Sequence, residues 1–512
     1  METLSNQNII QSDQQQFKPN LRINWVFLFF CIAVCIVLTI IIDTRSTAGS
    51  LFIAARYFVC IVSVLSLFMP VRFGVPIIFL ILAIGVDATQ SVYEKYAMGE
   101  IISASLWQFR YGPFNPSMFV AFILGIHILK VHCLQLDKIV KRALIWFVTV
   151  PIITGFVYGG MTSIASRVEI LQDVRFAILL MMSIILFRGY LKKFPQMIGF
   201  MLTLFVAYFV ARHAVDLFYW FTGFGSVMGG ATRVSVGSTK GTINILLLFT
   251  IVLFFREKRF ILGFALGLCS IILLVVYAGR LLWLTSVLGC ILLFIVIGAK
   301  RFIIGLPIVM ICGIIAFKIL GTYGYESLEY ASQRAESFKG GSVGNYLQRL
   351  DGLRYGELVN VFNTNLKRGA VLWGSGYSSY YTDDAAPFPA TLIAAFADYS
   401  AMSGLFYQTH EYFSHIYLKH GLIGLFIISS LWLTPAWRCY KMFDKNAKGL
   451  FYSVLACFIA FSFLAMIQFY WTGQGLFICG FMIASLITIS EILEENHTSF
   501  EPVISQKELI ES

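Results

Sequence analysis

The sequence predicts an all-α polytopic membrane protein with about fourteen transmembrane helices and one large outer loop domain. Three observations predict it. Apolar runs of about twenty residues recur along the chain, and at 1.5 Å per residue such a run crosses a hydrocarbon core of about 30 Å. Charged residues make up only 13% of the 512, and hydrophobic residues 58%. A soluble domain carries roughly 25% charged residues. Short basic loops also recur between alternate runs, as the positive-inside rule requires. A barrel of the porin type is excluded, because the runs do not alternate apolar with polar residues. The net charge of +11 is a topology signal held in loops rather than a nucleic-acid footprint.

The apolar runs are 25–42, 51–69, 73–87, 118–136, 143–159, 175–188, 197–216, 242–255, 260–277, 281–298, 302–320, 416–436, 450–470 and 476–490. The run from Trp25 is too long for a signal-peptide core and is expected to stay as the first span. Arg72; Lys138, Lys141 and Arg142; Arg188, Lys192 and Lys193; Arg256, Lys258 and Arg259; Lys300 and Arg301; and Arg438, Lys441, Lys445 and Lys448 all fall in alternate loops. That set is expected to face the cytoplasm, with Lys18 and Arg22 placing the N-terminus there. The expected layout is eleven helices with short loops over 1–320, a large outer loop over 321–413, three helices over 414–490, and a cytoplasmic tail over 491–512.

Nine of the ten cysteines fall in or beside apolar runs, and Cys439 falls in a short basic loop. Their spacing suits neither a metal site nor a disulfide framework, so they read as small packing residues. No metal or other cofactor is expected. Asp383-Asp384 is the nearest approach to a cation-binding pair.

The segment 321–413 organises the rest. About ninety residues of hydrogen-bonding sequence cannot face hydrocarbon, so they must sit in water or in a cavity roofed by the spans. A helix is expected over about 344–368, with Leu347, Leu350, Leu358 and Val361 on one stripe. Arg354 shares that stripe and needs a partner. Either Asp351 or Glu357 supplies it locally, or an anion is held between this helix and the spans. Arg349 lies off the stripe. Gly374-Ser375-Gly376 follows and permits a turn or a close backbone approach. Pro387 and Pro389 argue against a regular helix beyond it. The segment closes on Thr409-His410-Glu411-Tyr412-Phe413.

An arginine-led helix, a Gly-x-Gly turn, a polar stretch, and a His followed eleven residues later by a Gly inside the next span resemble the O-antigen ligase and polymerase superfamily. Here these are Arg349 or Arg354, Gly374-Ser375-Gly376, and His410 with Gly421-Leu422-Ile423-Gly424. Ala278-Gly279-Arg280-Leu281-Leu282 is similar to the family's segment in which an Arg opens a span at the outer face. Arg233 sits where the family often has another Arg. The likeness covers roughly 210–436. Three positions depart from it. Glu411 follows the His where the family usually has Asn, Lys419 stands two before Gly421 where an acid is frequent, and Arg280 is flanked by Gly and Leu.

The resemblance implies a bacterial inner-membrane enzyme with both termini in the cytoplasm and a periplasmic active site. It would move a glycan from undecaprenyl diphosphate to a sugar hydroxyl, as a repeat-unit polymerase or as a ligase that caps lipid A core. The partners implied are the lipid-linked glycan, a sugar or lipid A core acceptor, and the membrane, with no nucleic acid. Arg233, Arg280, Arg349 and Arg354 would grip the diphosphate, since guanidinium binds phosphate in a bidentate fork and stays charged. Arg280 also suits simple snorkelling at a span end. His410 would take the acceptor proton near neutral pH, with Glu411 as the rival base. His415 and His420 are further candidates closer to or inside the span. From another class, a transporter or lipid-linked glycan flippase would carry charge within its spans. Arg56, Lys130, Arg212 and Asp216 are the residues that would serve it, although Arg212 and Asp216 are one turn apart and can simply pair.

Overall fold

The computed structural model describes residues 24–42, 50–85, 106–108, 116–131, 138–158, 164–222, 243–277, 280–298, 300–323, 329, 352–388, 404–406, 409, 412–445, 449–468 and 473–498. Among these residues the regular structure is helical, with one antiparallel bridge between Tyr381 and Phe406. The helices are α1 (Trp25–Ile42), α2 (Ser50–Phe68), α3 (Val71–Ile84), α4 (Pro116–Val131), α5 (Lys138–Tyr158), α6 (Ile164–Lys193), α7 (Ile198–Thr222) and α8 (Ile243–Phe255). They continue with α9 (Phe260–Tyr277), α10 (Arg280–Ile297), α11 (Lys300–Tyr323), α12 (Gly352–Lys367), α13 (Tyr412–Lys441), α14 (Leu450–Gln468) and α15 (Gly473–Thr498). Seven are long and apolar enough to cross a membrane, and seven further apolar helices are shorter. Each apolar run of the sequence coincides with one of them. The fold is that of an all-α membrane protein.

The helices hide their own polar groups. Thr39, Ser63, Ser183, Thr203 and Ser462 each donate to the carbonyl four residues back. That bond satisfies a hydroxyl without a partner helix, as hydrocarbon surroundings demand. In the interior, α15 packs along α6, α7 along α1 and α14 along α10. Phe79, Phe187 and Phe481 meet at the centre, with Phe187 edge-on to Phe79 at 5.7 Å and to Phe481 at 5.1 Å. The outer helices turn large apolar side chains outward, among them Phe30, Phe58, Phe122, Val157, Ile291 and Phe426. Such a belt fits lipid, not water.

Basic residues near the helix ends bind carbonyls, rings and a carboxylate of neighbouring segments, Lys130 among them although expected inside a span. Lys130 Nζ donates to the carbonyls of Leu67 and Met69 at 2.6 and 2.8 Å, closing the end of α2. Lys193 donates to Val131 O, and Arg256 lies over Phe443. Arg188 pairs with Glu491 at 2.7 Å. Several helices outrun the expected runs, so that Lys138, Lys141 and Arg142 lie on α5, Lys300 and Arg301 on α11, and Arg438 and Lys441 on α13. α6 runs well beyond 175–188, so Asp173 and Arg188 are helix residues. α15 continues to Thr498, so Glu491 belongs to a helix. Cys439, expected in a loop, lies buried on α13. There the basic end of a span continues as helix beyond its apolar run.

α13 is broken at Gly421, where φ is 63° and ψ −165°. That backbone region is essentially open to glycine alone. The break separates Leu422 and Ile423 from the carbonyls of Leu418 and Lys419, which a continuous helix would pair with them. The stretch 371–376 replaces both bonds. Leu422 N and Ile423 N donate to Val371 O and Leu372 O at 3.0 and 3.1 Å, while Ser375 N and Gly376 N donate to Leu418 O and Lys419 O at 2.8 and 3.1 Å. Asn365 Nδ2 on α12 takes Tyr417 O at 2.7 Å.

A second helix is treated alike. Pro151 lacks an N–H, which leaves the carbonyl of Phe147 without its helical donor. The Tyr377 hydroxyl donates to that carbonyl at 2.7 Å, and Tyr377 N donates to Pro151 O at 2.9 Å. A Cβ at Gly374 would run into the backbone of His420 and Gly421, and one at Gly376 into Gly155. The Gly-x-Gly turn is therefore a site of close backbone approach.

A Cβ at Gly421 would meet Leu372 and Gly374 backbone atoms, whereas Gly313 on α11 faces open space. Gly421→Ala should lower stability by at least about 2 kcal/mol through strain and displacement of the docked stretch. Gly313→Ala should be neutral or gain up to about 1 kcal/mol. Thermal unfolding of the purified proteins in detergent checks this, and equal melting of wild type and Gly421→Ala would contradict the break.

Candidate functional site at the broken helix

His410, Glu411, Arg233 and Arg349 lie outside the described residues. Arg280 opens α10 and Arg354 lies in the first turn of α12, but the positions of their side chains are likewise outside what is described. The described residues that surround these positions form two buried polar groups.

The first group lies beside the broken helix. Lys419, one turn below His415 on α13, is fully buried. Its Nζ meets Asp173 Oδ2 of α6 at 2.8 Å and donates to Ser379 O at 2.7 Å. The same carboxylate oxygen accepts Ser378 N at 3.0 Å. One ion pair thus ties α6, α13 and the chain leaving the Gly-x-Gly turn. Removing both charges from water is expensive, and only the close pairing with added hydrogen bonds makes it tolerable. The acid that the family resemblance places two before the glycine is absent at Lys419, and the carboxylate at this level comes from Asp173.

Next to this pair, His420 is fully buried between the rings of Phe147 and Tyr377, edge-on to both at 4.7 and 5.4 Å. Among the described residues neither of its ring nitrogens has a hydrogen-bond partner. His415 is also buried. Ser375 Oγ donates to Asn365 Oδ1 at 2.6 Å, which completes the link between the turn and α12.

The second group lies where α7 and α9 end. Arg212 pairs with Asp216 at 3.1 Å, and both are buried. Tyr277 donates its hydroxyl to the other Asp216 oxygen at 2.8 Å, and His213 Nδ1 stands 4.0 Å from that oxygen. Tyr277 is the last residue of α9, three before Arg280. The expected pairing of Arg212 with Asp216 is what the structure contains. That carboxylate anchors the last residue of α9, three positions before Arg280 in sequence.

α12 corrects one expectation. Its buried face splits the Leu358–Val361 stripe. Glu357, Asn360, Val361, Thr364 and Asn365 point inward, and Leu358 faces outward. The cause is the polar chain that the helix covers. Asn360 exchanges two hydrogen bonds with the backbone of Ala386, both 2.8 Å. Glu357, offered in the sequence reading as a partner for Arg354, accepts a hydrogen bond from Tyr381. Burial, the Glu357 carboxylate and Asp383 together push that phenol above its usual range. Asp383 Oδ2 accepts Phe388 N at 3.2 Å, and Asp384 takes the Thr382 hydroxyl at 2.8 Å.

Asp173 was missed because it precedes the apolar run by two residues and reads as loop. Lys419 stood out only as a departure from a pattern. A cation inside an apolar run was the signal, and its partner lay 246 positions upstream, beyond any periodicity.

Breaking a buried pair strands one charge and typically costs about 3–5 kcal/mol, whereas replacing both partners by apolar residues is often near neutral. Asp173→Leu and Lys419→Met should each destabilise by about that amount. The double variant should recover most of the loss, as read by thermal unfolding in a double-mutant cycle. Additive losses would mean that the two side chains do not interact.

No family model matches the chain, and neither does any characterised protein or solved structure.

Proposed function

We propose that the protein is a membrane glycan transferase. It moves an oligosaccharide or polysaccharide from undecaprenyl diphosphate to a sugar hydroxyl, as a repeat-unit polymerase of the O-antigen or exopolysaccharide kind. One observation carries this reading. Two elements of the family-like pattern, the turn Gly374-Ser375-Gly376 and Gly421, are far apart in sequence but pack backbone against backbone. Their contact accounts for glycines at both places and turns two loose motifs into one structure.

In this reading all fourteen apolar helices cross the bacterial inner membrane. Both termini and the basic face lie in the cytoplasm, and 321–413 lies on the periplasmic side. Arg280, which opens α10, and His410, two residues before α13 in sequence, then share the outer face. The donor diphosphate lies at the depth of the head groups, where Arg280 and the further arginines Arg233, Arg349 and Arg354 spread its charge. The acceptor oxygen attacks the anomeric carbon, the carbon–phosphate-oxygen bond breaks, and undecaprenyl diphosphate leaves with the electron pair. The hydroxyl proton passes to His410 or Glu411 as attack proceeds.

A ligase acting on lipid A core would use the same residues. The flippase reading has less behind it. Lys130 closes on backbone carbonyls, and Arg212 and Asp216 neutralise each other.

The test is transfer from a purified lipid-linked glycan by the reconstituted protein. His410→Ala should reduce transfer by about 10²–10⁴-fold with normal membrane levels. A normal rate with His410→Ala and a dead Glu411→Gln would move the base to Glu411, and activity in both would end the catalytic reading of this junction. Arg280→Lys keeps the charge but loses the planar fork. It should impair transfer markedly, whereas Lys367→Ala should be mild. Normal output from Arg280→Ala would remove the diphosphate role.

A further inference from the structure

We propose that residues 352–388 form a re-entrant hairpin that dips into the membrane beside α5 and α13 and presents an apolar stripe to lipid acyl chains. The inference concerns the placement of this element and is independent of the reaction.

Depth follows from the hydrogen bonds. Tyr377 N is held by Pro151 O, about 10 Å along α5 from its end at Tyr158. Gly421, against which Gly374 packs, lies about 14 Å along α13 from Tyr412. Both helices thus put the turn at a similar depth, well inside a core of about 30 Å. Asn365 meets Tyr417 O, about 8 Å below Tyr412, so the end of α12 lies above the turn. Further back along α12, Asn360 meets Ala386 on the returning chain. The order is a descending half-helix, a turn, and an irregular return.

The two faces of α12 fit that placement. Glu357, Asn360 and Asn365 point inward and find partners, while Lys367 at the end of the helix reaches the returning chain at Asp384, 3.7 Å away. Leu358, Phe362 and Leu366, at four-residue steps, face outward, followed by Leu372 and Trp373, all between 40% and 57% exposed. In water this would be an inverted amphipathic helix, polar side buried and apolar side wet. At membrane depth it is the expected arrangement, since irregular backbone is tolerated there only when buried in protein. Ser375, Gly376, Tyr377, Ser378 and Ser379 are indeed buried. The stripe continues onto spanning helices. Phe362 stacks on Tyr417 at 6.0 Å, Trp373 stacks on Trp146 of α5 at 5.6 Å, and α13 turns Phe413, Leu422 and Phe426 outward. Acyl chains that cover α13 would cover this stripe too.

Spin labels at Leu358→Cys, Leu366→Cys and Leu372→Cys, with native cysteines replaced, test the placement in lipid nanodiscs. Lys445→Cys, exposed beyond the end of α13, is the water-facing control. Each labelled protein must elute like the unlabelled one, and the substituted positions are exposed. Collisions with oxygen should exceed those with a water-soluble nickel chelate at 366 and 372. The chelate signal there should be several-fold below that at 445. The apparent depth should increase from 358 to 366 to 372. Chelate-dominated collisions at 366 and 372 would put the stripe in water, and equal depth at all three would make α12 lie flat. Low collisions with both reagents would mean that a second copy or another part of the chain covers the stripe. Each of these three results overturns the proposal.

Discussion

The structure depends on one constraint: a backbone carbonyl or amide inside an apolar protein needs a partner, and water is not there to supply it. α13 violates its own ladder at Gly421, and α5 contains Pro151. Each fault frees groups that would cost several kcal/mol if left bare. The chain from Asn365 to Tyr377 supplies the missing donors and acceptors to both helices. The polar segment is therefore joined to the spans by backbone hydrogen bonds, which fix its height and register more firmly than side-chain packing alone.

From that join the charged residues take their positions. Lys419 sits two residues before the break, and its head reaches Asp173 on α6 and the carbonyl of Ser379 just past the docked turn. The pair is shielded from solvent, so it acts as a clamp rather than as a free cation for a phosphate. The Arg212–Asp216–Tyr277 group does the same between α7 and the end of α9. Under the proposed function, chemistry on a lipid diphosphate falls instead to Arg280, which opens α10, to Arg233, Arg349 and Arg354, and to His410 or Glu411, which precede α13 in sequence.

Much of the fold was legible in the sequence because hydrophobic runs and basic loops are local signals. Every apolar run found a helix, and the pairing of Arg212 with Asp216 followed from their spacing of one turn. Gly374-Ser375-Gly376 was legible as a close approach, and Gly421 as a glycine inside a span, but nothing local tied one to the other. Asp173 was hidden by a helix that outran its apolar core. On α12 the stripe rule failed in a specific way. Apolar spacing finds which side chains share a face, but not whether that face meets protein or lipid. Leu358 and Val361 read as one stripe, yet Leu358 is exposed while Val361 is buried with Glu357, Asn360 and Asn365. The proposed catalytic positions rest on the family resemblance and on their places beside the helix ends.

Hydrogen–deuterium exchange of the protein in nanodiscs, read by mass spectrometry, tests the docking of the polar segment most directly. Peptides spanning 371–377 and 416–424 should exchange as slowly as the buried α15 peptide over 476–489, because their amides are bonded to one another out of reach of water. Exchange at 371–377 as fast as in an open surface loop would contradict the docked turn, and with it the account of the break at Gly421.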